Sequence, residues 1–159
     1  MKSIALAAVA VCLFSIGSAS AKTVTSTAPE TMISALQSAG YKAVLGKTDD
    51  GTPVIDTAAD SNPIRIALSD CKDNKSCTTS EFIGVWDCAS SVEKCKTVAD
   101  ELNRQESPMH FITMDSGKRI ITYQYLLFDD IGISDKLFIS NFEAFSHYNY
   151  EFNAAVSKK

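Results

Sequence analysis

Five cysteines, two histidines and several paired acids are the residues of this chain whose types could do chemistry. Cys71, Cys77, Cys88 and Cys95 crowd one stretch, while Cys12 stands apart in an apolar run. Their spacings match none of the short-spaced pairs of a structural zinc site, and no redox Cys-x-x-Cys occurs. His110 alternates with Ile112 and Met114, as a strand residue would. His147 falls on the far side of a helix from Phe138. No known motif ties either histidine to a Ser, Cys or carboxylate partner, so no catalytic residue is assigned. Asp49-Asp50, Asp70 with Asp73, and Asp129-Asp130 lack the alternating ladder and closing Glu of a calcium loop, and each reads as turn chemistry. Nothing singles out a carboxylate pair for glycoside hydrolysis. The expectation is therefore no metal and no cofactor.

The 159 residues carry 15 Lys+Arg against 19 Asp+Glu, a net charge of -4 with a pI near 5.1. That is the size of one globular domain, and its charge repels the phosphate backbone, which argues against a nucleic-acid partner. Lys2, the apolar run Ile4 to Ile16, and Ala19-Ser20-Ala21 read as the charged, apolar and cleavage regions of a signal peptide spanning 1–21. The apolar run is too short for a membrane span, so the mature form is expected to be soluble in the periplasm or secreted. Cys12 leaves with the signal. Four cysteines in an exported chain imply two disulfides with three possible connectivities. The local pairing is favoured. Cys71 and Cys77 flank a loop between two strands, within reach of each other. If Cys88 shared a helix with Cys95, the rise would hold them roughly 10 Å apart, so Cys88 must precede that helix.

The elements that position these residues follow from periodicity. Residues 22–27 are small and polar and read as a flexible leader. Thr27 with Glu30 resembles a capping box, Pro29 suits a first helical turn, and Met32, Ile33, Leu36 and Ala39 form a stripe ending at Gly40. Lys42 to Gly46 and Pro53 to Thr57 read as strands about an Asp-Gly turn. After Asn62-Pro63, Ile64, Ile66 and Leu68 alternate in a further strand. In Phe82 to Trp86 both faces are apolar, which predicts a central strand. Ser90 and Glu93 would cap a second helix with Val92, Cys95, Ala99 and Leu102 on one face. Met109 to Met114 and Arg119 to Phe128 form another hairpin, and Asp129-Asp130-Ile131-Gly132 breaks the sheet. A long third helix, opened by Ser134 or Asp135, carries Phe138, Phe142, Phe145, Phe152 and Val156 on one stripe. The order α-β(3-4)-α-ββ-α predicts an α+β domain over 28–157, an antiparallel sheet with helices packed on it.

One strand stands out for its surface. Alternation puts Ile121, Tyr123, Tyr125 and Leu127 on one face and Ile120, Leu126 and Phe128 on the other. One face must meet the helices; the second is either covered within the monomer or left as aromatic area suited to a partner or a second copy.

Gly40-Tyr41, Asp50-Gly51 with Pro53, the Cys71 to Cys77 loop leading into Glu81-Phe82, Asp100 to Arg104, Asp115 to Tyr125 and Gly132 together resemble the YbjN-like family over most of residues 29–153. The resemblance implies an α+β fold similar to type III secretion chaperones, which bind protein segments and commonly dimerise, and implies no enzymatic activity. It departs at Asp100-Glu101-Leu102-Asn103-Arg104, which lacks the Trp of an Asn-x-x-Trp-Asn segment, so a binding role tied to that aromatic does not carry over. The expected function is a non-catalytic periplasmic protein-binding or chaperone-like module, a homodimer being one form of association. The alternatives are a secreted inhibitor of a lysozyme or protease and, with less support, a hydrolase.

Overall fold

The computed structural model describes residues 22–128 and 131–158. The signal peptide, its cleavage after Ala21 and Cys12 lie outside the described residues, as do Asp129 and Asp130 of the expected sheet break.

The chain runs β1 (Thr23–Val24), α1 (Pro29–Ser38), β2 (Ala43–Lys47), β3 (Pro53–Ala59), β4 (Asn62–Ser69), β5 (Thr79–Asp87), α2 (Val92–Asn103), β6 (His110–Met114), β7 (Arg119–Leu127), β8 (Ile133–Ser134) and α3 (Asp135–Ser157). Six strands form one antiparallel sheet in the order β2-β3-β4-β5-β7-β6, and β1 pairs with β8 in a second, two-stranded sheet. This is the expected α+β class. The three helices pack on one another and on a single face of the large sheet.

Helix α1 starts at Pro29 as expected, but the Thr27–Glu30 capping box does not form. Ala28 is the N-cap and no side chain caps it. The Thr27 hydroxyl donates instead to Thr25 Oγ1 at 3.1 Å, and Thr31 Oγ1 donates to the Ala28 carbonyl at 2.7 Å. The end of α1 follows its glycine: Gly40 takes φ +91°, which lets the Tyr41 N–H reach back to the Leu36 carbonyl at 3.0 Å. Helix α2 begins at Val92, so its N-cap is Ser91, one residue after the expected Ser90, with no side-chain bond there. Helix α3 is capped as read, Ser134 Oγ accepting from the Leu137 N–H at 3.2 Å.

Two differences concern the ends of elements. Asn62-Pro63 does not punctuate; both residues already belong to β4, paired with Ala59 and Ala58. The turn is Asp60-Ser61, with φ of 48° and 64°, the left-handed pair that suits a tight hairpin. Pro63 is tolerated because the ladder to β5 begins only at Arg65. The leader read over 22–27 is not free either. Val24 and Ser26 are buried, β1 holds Ile133 and Ser134, and the Ser26 hydroxyl donates to the Cys77 carbonyl. Two-residue strands carry too little periodicity to be read, so this strap was invisible in the sequence.

The core lies between the helices and the inner sheet face. Phe138, Phe142 and Phe145 of α3 surround Phe82 of β5 at centroid distances of 5.8, 5.9 and 5.7 Å, and Phe152 stacks on Phe111. Each such ring contributes about 2 kcal/mol through burial. A polar hub fixes the helix over the sheet. Asn149 Oδ1 accepts from Thr122 Oγ1 at 2.7 Å and from Trp86 Nε1 at 3.2 Å, while its amide donates to the Phe145 carbonyl at 2.9 Å. Gly84 lies directly beneath: a Cβ there would stand 2.5 Å from Thr122 Oγ1 and 2.7 Å from Asn149 Oδ1.

Candidate partner-binding face

The strand register that buries the phenylalanines also sorts the residues pointing the other way. Across β5, β7 and β6, Val85 stands beside Ile121 and Ile121 beside Ile112; in the next row Ile83 stands beside Tyr123 and Tyr123 beside His110. Glu81 faces Tyr125, and Thr79 faces Leu127. Among the described residues no helix covers this side. Tyr125 is 57% exposed, Leu127 74%, Val85 58% and Ile112 43%, whereas Ile120, Thr122 and Gln124 between them are buried.

All four residues singled out in the sequence, Ile121, Tyr123, Tyr125 and Leu127, therefore lie on the open face, Ile121 and Tyr123 half-buried by their neighbours. Three others complete it: Val85, Ile83 and Ile112. Their signal was present, since Ile83 and Val85 alternate with Phe82, Gly84 and Trp86. β5 is central in the sheet, between β4 and β7, as expected, and its second apolar face is open to solvent.

Ring contacts and one hydrogen bond organise the aromatic part. Tyr123 meets Tyr125 edge-on at 5.4 Å and lies 5.3 Å from the His110 ring. Hydrogen bonding between the Tyr125 phenol and Glu81, reinforced by that carboxylate's charge, holds the phenol above its ordinary pKa. Charged groups sit at the margins. Arg65 Nε meets Asp56 Oδ1 at 2.8 Å beside a shallow depression floored by Pro63, Ile83 and Val85, and Arg119 is paired with Asp115. An apolar, aromatic centre with a polar rim is the composition of a protein-binding surface.

The other expected residues fall elsewhere. His110 is on the open sheet face and His147 is on α3, where its Nε2 lies 3.3 Å from Glu151, so the fold does not bring the two histidines together. Asp50 serves its turn, accepting from the Thr48 hydroxyl and from the Thr52 N–H at 3.1 Å. Asp70 accepts from Thr79 Oγ1 at 3.0 Å. Cys71 bonds Cys77, and Cys88 bonds Cys95 from a position before the α2 N-terminus, giving the local pairing. At the end of α2, where the family's Trp is absent, the Asn103 amide donates to the Phe111 carbonyl and accepts from the Phe111 N–H, both at 2.8 Å, clamping α2 to β6.

Three helices on one side of a six-stranded antiparallel sheet, with no helix on the other among the described residues, define the class: a YbjN-like α+β fold. Two crystal structures are among those it resembles. An uncharacterised protein from Methanothermobacter thermautotrophicus aligns at TM-score 0.59 and 15% identity, over 80% of this chain and 94% of that one. YbjN, a proposed transcription regulator from E. coli, aligns at TM-score 0.51 and 13% identity, over 82% and 96%. At such identities the likeness extends to the fold. No family model and no curated protein sequence matches the chain.

Proposed function

We propose that this chain is an exported, non-catalytic protein-binding module that receives a protein partner, or a second copy of itself, on the open face of its large sheet. The observation that carries this reading is the continuous exposed strip of Val85, Ile112, Tyr125 and Leu127, with Ile121 and Tyr123 between them. Scattered exposed apolar residues need no explanation, but a contiguous patch on a helix-free face does. Export is supported by the two disulfides, which persist in an oxidising compartment. Among the described residues no helix is long and apolar enough to cross a membrane. The regulatory role proposed for the E. coli neighbour transfers poorly, because an acidic, disulfide-stapled chain is ill suited to hold DNA.

Replacing Tyr123 and Tyr125 together by Ser tests the reading. Buried aromatic anchors dominate binding energy, so the pair should weaken association by about 2 kcal/mol, roughly thirtyfold in affinity, with the far-UV circular dichroism spectrum unchanged. Association that survives the double substitution would remove the surface from consideration.

A further inference from the structure

The large sheet ends in β6 on one side and β2 on the other, and the two edges are finished differently. At β6 the Asn103 side chain takes both the N–H and the C=O of Phe111 at 2.8 Å, so an incoming strand finds that ladder position filled. At β2 the ladder is open. The Thr48 N–H bonds to the Thr52 carbonyl at 2.9 Å, which fixes the alternation along this hairpin. Val44 and Gly46 exchange their bonds with Asp56 and Val54, while Ala43, Leu45 and Lys47 turn N–H and C=O away from β3. The Ala43 carbonyl accepts from Gln37 Nε2 at 3.2 Å and keeps a second lone pair. Among the described residues no strand other than β3 pairs with β2. Natural edges are guarded by mid-strand Lys, by Pro or by a bulge; β2 has none of these, pairs regularly with β3, and carries exposed Val44 and Leu45 at its centre. We infer that β2 pairs antiparallel with β2 of a second copy, joining the two six-stranded sheets into one.

The edge is complementary to itself. With a two-fold axis at Leu45, Leu45 faces the second copy's Leu45 and Ala43 faces its Lys47, so the outward N–H and C=O groups meet as hydrogen-bonded pairs. Val44, 67% exposed, then lies over the second copy's Gly46, where the missing side chain leaves room. Charge selects the same register. Lys42, exposed just before β2, comes opposite the second copy's Thr48, whose hydroxyl is bonded to Asp50. Symmetry repeats this meeting of ammonium and carboxylate at the other end of the junction, and among the described residues neither Lys42 nor Asp50 belongs to an ion pair within the chain. A parallel pairing would instead set Lys42 against Lys42 and Asp50 against Asp50. The β2 edge is a separate surface from the open face of β5, β6 and β7, and its assignment does not depend on that reading.

The test is amide hydrogen exchange of the isotopically labelled 22–159 chain, read residue by residue at about 20 µM and at about 2 mM protein. So short a junction belongs at the weak end of protein interfaces, with an expected Kd of about 0.2 mM. At that affinity exchange at Leu45 and Lys47 should slow roughly fivefold in the concentrated sample, while Val44 and Gly46, already bonded to β3, stay unchanged. Val44→Lys, which brings two ammonium groups beside the two-fold axis, should abolish the concentration dependence. Lys42→Glu, which faces Asp50 with a like charge, should weaken the dimer roughly tenfold. Both positions are exposed and both variants should fold, as their own spectra will report. Exchange at Leu45 and Lys47 that ignores concentration, protection that appears on β7 with β2 unchanged, or wild-type protection in either variant would each overturn the pairing.

Discussion

Gly84 shows how much one residue can decide. It sits on the inner face of β5 where Asn149 and Thr122 meet, and any side chain would enter that hydrogen-bond hub. Gly84→Ala should therefore destabilise the protein by about 1–3 kcal/mol through overpacking, read as a lower urea midpoint; an unchanged midpoint would mean that α3 can move away freely. The sequence marked Gly84 only as an alternating position in a strand, because the partner that excludes a Cβ lies on an element far along the chain. Acid sensitivity also belongs to single residues. The Thr48 hydroxyl bonded to Asp50, and the Arg119 guanidinium bonded to Asp115, hold these carboxyls below their ordinary range. A folded pKa below the unfolded one means stability that is present above about pH 4 and lost as pH falls through the folded values. The urea midpoint should drop on acidification below that range, and less steeply in Asp50→Asn; parallel curves for the two proteins would deny Asp50 its role.

The elements were legible wherever periodicity or turn chemistry was strong. The α3 phenylalanine stripe, the Asp50-Gly51 hairpin and the position of Cys88 outside α2 all followed from spacing. What escaped was short or used unexpected donors: β1 and β8 are two residues each, and the start of α1 depends on Thr31 rather than Thr27. The disulfides connect these levels. Each closes a short loop and should contribute about 2 kcal/mol by restricting the unfolded chain. Their local consequences differ, because Ser26 is bonded to the Cys77 carbonyl. Replacing Cys71 and Cys77 by Ser should speed amide exchange in β1 and around Ser26 more than in β5, whereas replacing Cys88 and Cys95 should loosen the first turn of α2. Exchange that rises uniformly in both variants would contradict a local role for either bridge.

At the scale of the molecule, one asymmetry organises everything else. Among the described residues the helices cover one face of the six-stranded sheet and leave the other to solvent, so the residues of β5, β6 and β7 that do not build the core build a surface. The β7 part of that surface was visible from the alternation of Ile121, Tyr123, Tyr125 and Leu127. Its full extent was not, since strand order and register bring in Val85 and Ile112 from segments whose adjacency no local pattern encodes. The account stands on this face being the place of contact. It is tested most directly by a photo-crosslinking amino acid placed at Tyr125, and in a second protein at exposed Lys94 on the helical side, each expressed as the full 159-residue chain in intact cells. The account predicts a discrete adduct, with a partner or a second copy, from position 125 and none from position 94; adducts from 94 with none from 125 would contradict it.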